Sequence, residues 1–235
     1  MSQNAVNMLE KLLGGSDLSE AEASEVINCM AGGDISPALA GGLLVALRKK
    51  GEAAPEIRGM AKAMRLLAVQ PAIPAGGDYV DLVGTGGDHS GSLNLSTGSA
   101  LLAAACGLLV VKHGNRSISS RSGSADVLKA LGLPIPLDEH EAVHCLDETG
   151  FTFLFAPTYH PAMKNIAPVR AALGVRTVFN ILGPLSNPAA PPFHVIGAYS
   201  EPMAELMAEA IAGMQMKRAF VVHGAPGWDE ATPVG

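Results

Sequence analysis

Aromatic side chains are scarce: one Trp, three Tyr and six Phe occur among 235 residues, so the core has to be built from aliphatic groups. Basic charge is not in excess either, since 16 Lys and Arg against 22 Asp and Glu give a net charge of −6. That balance excludes a broadly basic surface of the kind that grips nucleic acid. There are only three cysteines, Cys29, Cys106 and Cys145, far apart and each within a helical pattern. No spacing among them suits zinc, and reduced core or near-core thiols in a cytoplasmic protein are expected. The N-terminus lacks a basic segment followed by an apolar one, so no secretory signal is read there. The longest weakly polar run, 98–111, is too short to span a bilayer and is broken by Ser99 and Gly107. What the chain has in quantity is apolar residues, 48%, with 27 Gly and 16 Pro. This composition suits an α/β protein with aliphatic cores and many tight turns.

The glycines and hydroxyls concentrate in residues 83–124. Two turn-rich loops there each follow a short hydrophobic run, 79–83 and 108–111, that reads as a strand. Each loop then leads into a helical pattern. Strand, glycine-rich loop and helix present backbone N–H groups and a helix N-terminus to an anion. The first loop carries Gly84, Gly86, Gly87 and Gly91, with Asn94, Ser96 and Thr97 where the helix should begin. The second carries Lys112, His113, Arg116 and Arg121 among Gly114, Asn115, Ser117, Ser119 and Ser120. Cations, amides and hydroxyls packed this closely suit a polyanion. Neither the dinucleotide-binding glycine spacing nor a G-x-x-x-x-G-K-[ST] sequence is present, so phosphate binding is indicated without either of those nucleotide folds.

Around this segment the chain divides. Residues 1–70 read as helices throughout. Leu9, Leu12 and Leu13 line the first, Ser19 and Glu22 have capping-box spacing before the second, Ser36-Pro37 opens the third and Pro55 the fourth. Residues 71–77, with two prolines and a Gly-Gly pair, read as a linker. Strand–helix alternation follows over 78–156 and predicts a largely parallel sheet flanked by helices. Residues 157–190 turn helical and proline-rich again, and 191–235 resume the sheet.

Gly84-Thr85-Gly86-Gly87-Asp88 with Asn94-Leu95-Ser96-Thr97, and Lys112-His113-Gly114-Asn115-Arg116 with Ser119-Ser120, resemble the anthranilate phosphoribosyltransferase family. Further matches are 167–170, 179–185, and Val222-His223-Gly224 before Asp229-Glu230, so the resemblance runs along the whole chain in order. It implies a small discontinuous helical domain, of which 157–190 is the returning part, and a larger α/β domain with a mainly parallel central sheet. It implies transfer of a phosphoribosyl group from phosphoribosyl pyrophosphate (PRPP) to the amino group of anthranilate, in tryptophan biosynthesis. By resemblance Gly84, Gly87, Asp88, Ser92, Asn94, Leu95, Ser96 and Thr97 hold the donor, completed by Lys112, His113, Gly114, Asn115, Arg116, Ser117, Ile118, Ser119, Ser120 and Ser124. Gly84, Asn115 and Arg170 contact anthranilate, and Ser96, Asp229 and Glu230 bind Mg²⁺. Without the resemblance, the two acids read as solvated groups on a turn. No acid or base is assigned, and Tyr159, His160 and Arg176 are lesser candidates near the site.

The resemblance further implies a cytoplasmic homodimer formed through the helical domain, an active site between helical and sheet parts, and no binding to nucleic acid or membrane. Family members continue beyond the Asp-Glu loop with strands and helices expected to finish the sheet. Two alternatives share the architecture. A pyrimidine nucleoside phosphorylase would bind inorganic phosphate and a nucleoside without a pair of magnesium-binding acids. A non-catalytic relative would bind nucleic acid on a basic surface, against which the charge of −6 speaks.

Overall fold

The computed structural model describes residues 2–74, 76–86, 91–116, 122–225 and 227–232. Helices α1 (Ser2–Leu13), α2 (Glu20–Gly32), α3 (Pro37–Lys50) and α4 (Ala54–Leu66) come first. Strand β1 (Tyr79–Gly84) is followed by α5 (Leu95–Ala105), β2 (Leu109–Gly114), α6 (Ser124–Ala130), α7 (Glu139–Thr149) and β3 (Phe151–Phe155). The short α8 (Ala156–Tyr159), a 3₁₀ turn (Pro161–Asn165), α9 (Ala167–Leu173) and α10 (Phe179–Leu182) lead to β4 (Phe193–Gly197), α11 (Glu201–Ala212) and β5 (Arg218–Val222). The chain forms two compact units, residues 1–68 with 160–186, and residues 69–159 with 187–235. Among the described residues no helix is long and apolar enough to cross a membrane.

The helical unit begins and ends its helices with local chemistry. Ser19 and Glu22 form a reciprocal capping box at the start of α2, and Gly33 ends that helix in the left-handed region at φ 74°. Ser36 caps α3 through the Leu39 N–H, with Pro37 in the first turn. Buried charge pins the helices together. Glu56 accepts from the Leu18 N–H and the Ala53 N–H, both at 2.8 Å, and from Lys50 Nζ at 3.0 Å. Lys50 Nζ also reaches Asp17 at 2.6 Å. Burial opposes the charge on Lys50, but those hydrogen bonds outweigh it and raise its pKa. The apolar face of α1 is Ala5, Met8 and Leu12 rather than Leu9, Leu12 and Leu13, because Leu13 stays 65% exposed.

In the sheet unit the described strands form one five-stranded parallel sheet, ordered β3-β2-β1-β4-β5. One face packs on Leu137, Ala142, Leu146 and Tyr159, the other on Ala100, Ala125 and Leu128. Strand β2 is longer than its hydrophobic run implies. Lys112, His113 and Gly114 pair with Phe153, Leu154 and Phe155 of β3, so they belong to the sheet and not to the loop. Residues 71–74 and 76–77 lie in this unit too: Ile73 packs on its core, and the Ala72 N–H reaches the Glu139 carbonyl. Cys29 is buried and Cys145 half-buried, but Cys106, at the end of α5, is exposed rather than near the core.

Candidate active site

All five strands point their C-terminal ends the same way, so the loops after β1 and β2 emerge on one edge. At that edge β1 and β4 meet glycine to glycine, Gly84 opposite Gly197. The Thr85 N–H donates to the Gly197 carbonyl at 2.9 Å, and the Thr85 hydroxyl accepts from the Tyr199 N–H at 3.2 Å. The Gly86 N–H donates to Asp229 Oδ2 at 2.8 Å. The glycines here do two different jobs. Gly86 and Gly91 take positive φ, 62° and 64°, which other residues resist. Gly84 and Gly197 instead leave room for Asp229. A Cβ on Gly84 would lie 2.6 Å from Asp229 Oδ2, and one on Gly197 would overlap the Asp229 carbonyl.

The two loops are physically joined. Asn94 occupies the N-cap position of α5, yet its side chain does not cap that helix. Its amide nitrogen donates to the Ser122 carbonyl at 3.2 Å, and the Ser122 hydroxyl donates to Asn94 Oδ1 at 3.1 Å. The Ser124 hydroxyl donates to the Asn115 carbonyl at 3.1 Å, which closes the second loop on itself. The cap of α6 is Gly123, whose N–H donates to Asp126 Oδ2 at 2.9 Å. Ser92, Leu95, Ser96 and Thr97 follow the first loop, Ser96 half-buried and Thr97 buried in the first turn of α5. Arg116 lies over the Phe155 ring, 5.9 Å from its centroid. Gly87, Asp88, Ser117, Ile118, Ser119 and Ser120 lie outside the described residues.

Lys112 is 2% exposed and donates from Nζ to the Leu82 carbonyl. Burial pushes its pKa down, and the charges of Asp81 and Glu230 offset part of that. His113 projects to the opposite face of β2 and is buried there. Beneath the loops, Asp81 is fully buried; its Oδ2 accepts from Asn187 Nδ2 at 2.9 Å, and the same amide donates to the Val111 carbonyl. Asp81, Asn187 and Gly197 were not legible as site-building residues. An acid inside an apolar strand run was the available signal for Asp81, and a strand-terminal glycine for Gly197.

The Asp229-Glu230 turn is folded over by a bridge between Gly224 and Trp228. Asp229 is buried and Glu230 half-buried. Among the described residues, no group of three or more His, Cys, Asp or Glu could hold a metal by itself. Two adjacent carboxylates and the Ser96 hydroxyl are hard oxygen donors, and glycine at 84 and 197 leaves space for the acid that Gly86 anchors. This set fits Mg²⁺, which takes few protein carboxylates and completes its shell with water and substrate phosphate.

Arg170 belongs to the helical unit, on α9 after Pro168. Its guanidinium carbon lies 5.1 Å from the centroid of the Phe179 ring. Burial alone lowers its pKa, and among the described residues it makes no ion pair. Tyr159 is fully buried, and its hydroxyl donates to the backbone carbonyls of Leu137 and Asp138. His160 is buried and held neutral, its pKa lowered to about 4 by burial. The backbone carbonyl of Arg176 accepts from Arg48 at 2.7 Å.

A helical bundle and a parallel α/β sheet, with glycine- and hydroxyl-rich loops on the sheet edge, define a class. Residues 6–68 match the helical bundle domain of a glycosyl transferase family, and residues 76–235 match the a/b domain of the same kind of enzyme. The particular relatives are anthranilate phosphoribosyltransferases. That of Clostridium kluyveri is 49% identical over 225 residues, which is 95% of this chain and 67% of the relative. That of Methylobacterium radiotolerans is 48% identical over 227 residues, 97% of this chain and 65% of the relative. A crystal structure of the Thermus thermophilus protein has a TM-score of 0.88 at 48% identity, covering 95% of this chain and 67% of that one. The Saccharomyces cerevisiae protein in complex with PRPP and Mg has a TM-score of 0.89 at 29% identity, covering 100% of this chain and 69% of that one. The chain belongs to the anthranilate phosphoribosyltransferase family and spans about two thirds of the length of these relatives.

Proposed function

We propose that the chain transfers the phosphoribosyl group of PRPP to the amino group of anthranilate, releasing pyrophosphate, in tryptophan biosynthesis. The observation that carries this reading is the junction of two hydroxyl-rich loops and an acidic turn on one sheet edge: Asn94 is tied to Ser122, and Gly86 to Asp229. Gly84, Gly87, Asp88, Ser92 and residues 94–97, with 112–120 and Ser124, are assigned to the donor. The first turn of α5, which Asn94 does not cap, suits phosphate oxygens. Lys112 and Arg116 supply positive charge as pyrophosphate departs, and the Asn94–Ser122 tie supplies orientation. Ser96, Asp229 and Glu230 would hold Mg²⁺, which when bound neutralises diphosphate oxygens. Arg170 is assigned to the anthranilate carboxylate, with Gly84 and Asn115 beside the same substrate. No residue is assigned as a base.

The helical unit is proposed to pair with a second copy of the chain in the cytoplasm. Val45 and Val175 are both exposed and line one groove of that unit with Arg48 and Lys49. Calorimetry tests the donor assignment. Heat on adding PRPP that requires Mg²⁺, and that is lost in Asp229→Asn with Glu230→Gln, is the expected result. No binding of PRPP, or binding indifferent to both changes, would overturn it.

A further inference from the structure

Arg170 is a half-buried cation that makes no ion pair among the described residues, and its guanidinium lies over the Phe179 ring. Phe179 is itself buried, and its position is set by a closed local network. Gly174 ends α9 at φ 62°, which turns the chain back. The Thr177 N–H then donates to Asn180 Oδ1 at 3.0 Å, and the Asn180 N–H returns to the Thr177 carbonyl at 2.9 Å. The Ile181 and Leu182 N–H groups both reach the Val178 carbonyl. This one-turn helix presents the Phe179 ring to a guanidinium one helix earlier in the chain.

A ring beneath a guanidinium does something an acid cannot. The ring's negative face stabilises the cation without using the in-plane N–H donors. The planar fork keeps its two parallel donors for a carboxylate. An aspartate or glutamate at 179 would neutralise the charge and occupy the fork. A leucine would fill the space but leave the guanidinium plane unfixed.

We infer that Phe179 is a positioning residue for recognition of the aromatic carboxylate acceptor, setting the plane of the Arg170 fork. The inference rests on the assignment of Arg170 to the anthranilate carboxylate. Steady-state kinetics on Phe179→Leu, Phe179→Tyr, Arg170→Ala and the Phe179→Leu/Arg170→Ala pair test both. Phe179→Leu should raise the KM for anthranilate about 5- to 10-fold, the loss of a cation–π contact in a desolvated place, with the KM for PRPP unchanged. Phe179→Tyr should restore it, and Phe179→Leu should add nothing in the Arg170→Ala background. A rise for PRPP as large as for anthranilate, an undiminished effect of Phe179→Leu without Arg170, or no effect of Phe179→Leu at all would overturn the inference. If Arg170→Ala itself leaves the KM for anthranilate unchanged, the assignment of Arg170 falls first, and the role of Phe179 with it.

Discussion

Glu56 in the helical unit and Lys112 in the sheet unit are both shut away from solvent, and the chain treats them differently. Glu56 is saturated: two backbone N–H groups and Lys50 surround its carboxylate. Lys112 has one carbonyl, with Asp81 and Glu230 acting on it through their charges. The first arrangement is complete without a ligand and reads as architecture. The second leaves a desolvated amine beside two glycine- and hydroxyl-rich loops, a pattern typical of sites that receive charge. Arg170 repeats the second pattern, supported by a ring and without an ion-pair partner among the described residues.

The largest expected effect breaks the helical side of this contrast. Glu56→Ala leaves two buried backbone N–H groups without their acceptor and takes one of the carboxylates from Lys50, and should cost about 4 kcal/mol of stability in a denaturant titration. PRPP affinity of the protein that remains folded should not change, by calorimetry below the transition.

Next is pH. His160 has a folded pKa of about 4, below its ordinary 6.5, so the unfolded chain takes up the proton first as pH falls. The helical unit should hold its full stability above about pH 6.5 and lose about 3 kcal/mol on descending to about pH 4. Unfolding midpoints measured across that window, with His160→Asn flattening the slope, check the sign.

Gly197→Ala attacks the sheet side. Its new Cβ overlaps the Asp229 carbonyl, so the acidic turn must move. A loss of about 100-fold in kcat/KM is expected, the scale of a 1 Å misplacement in a site, with weaker dependence on Mg²⁺ as the second readout. The smallest change sharpens the background. Ala190 sits at φ 45°, a left-handed conformation that suits glycine, and Ala190→Gly should raise stability by about 1 kcal/mol without altering kinetics.

Local signals carried well. The Ser19–Glu22 box formed, because it is settled within four residues of chain. The alternation of strand and helix gave the parallel sheet. What misled was the end of β2. Lys112-His113-Gly114 reads as polar loop, yet the backbone there is paired to β3, and pairing decides strand ends. Leu13 and Cys106 failed for a related reason: helical periodicity marks a stripe, but only the neighbouring element determines whether that stripe is covered.

The sequence by itself determined where most helices start and stop and which segments form strands, and it pointed to phosphate-binding chemistry in two loops, because caps, turns and periodicity are properties of a few adjacent residues. Only the tertiary structure decided that Asn94 spans to Ser122, that Gly197 stands clear for Asp229, and that Asp81 accepts from Asn187. Those partners are separated by 28 to 106 residues, and nothing but the folded backbone brings such distant groups together.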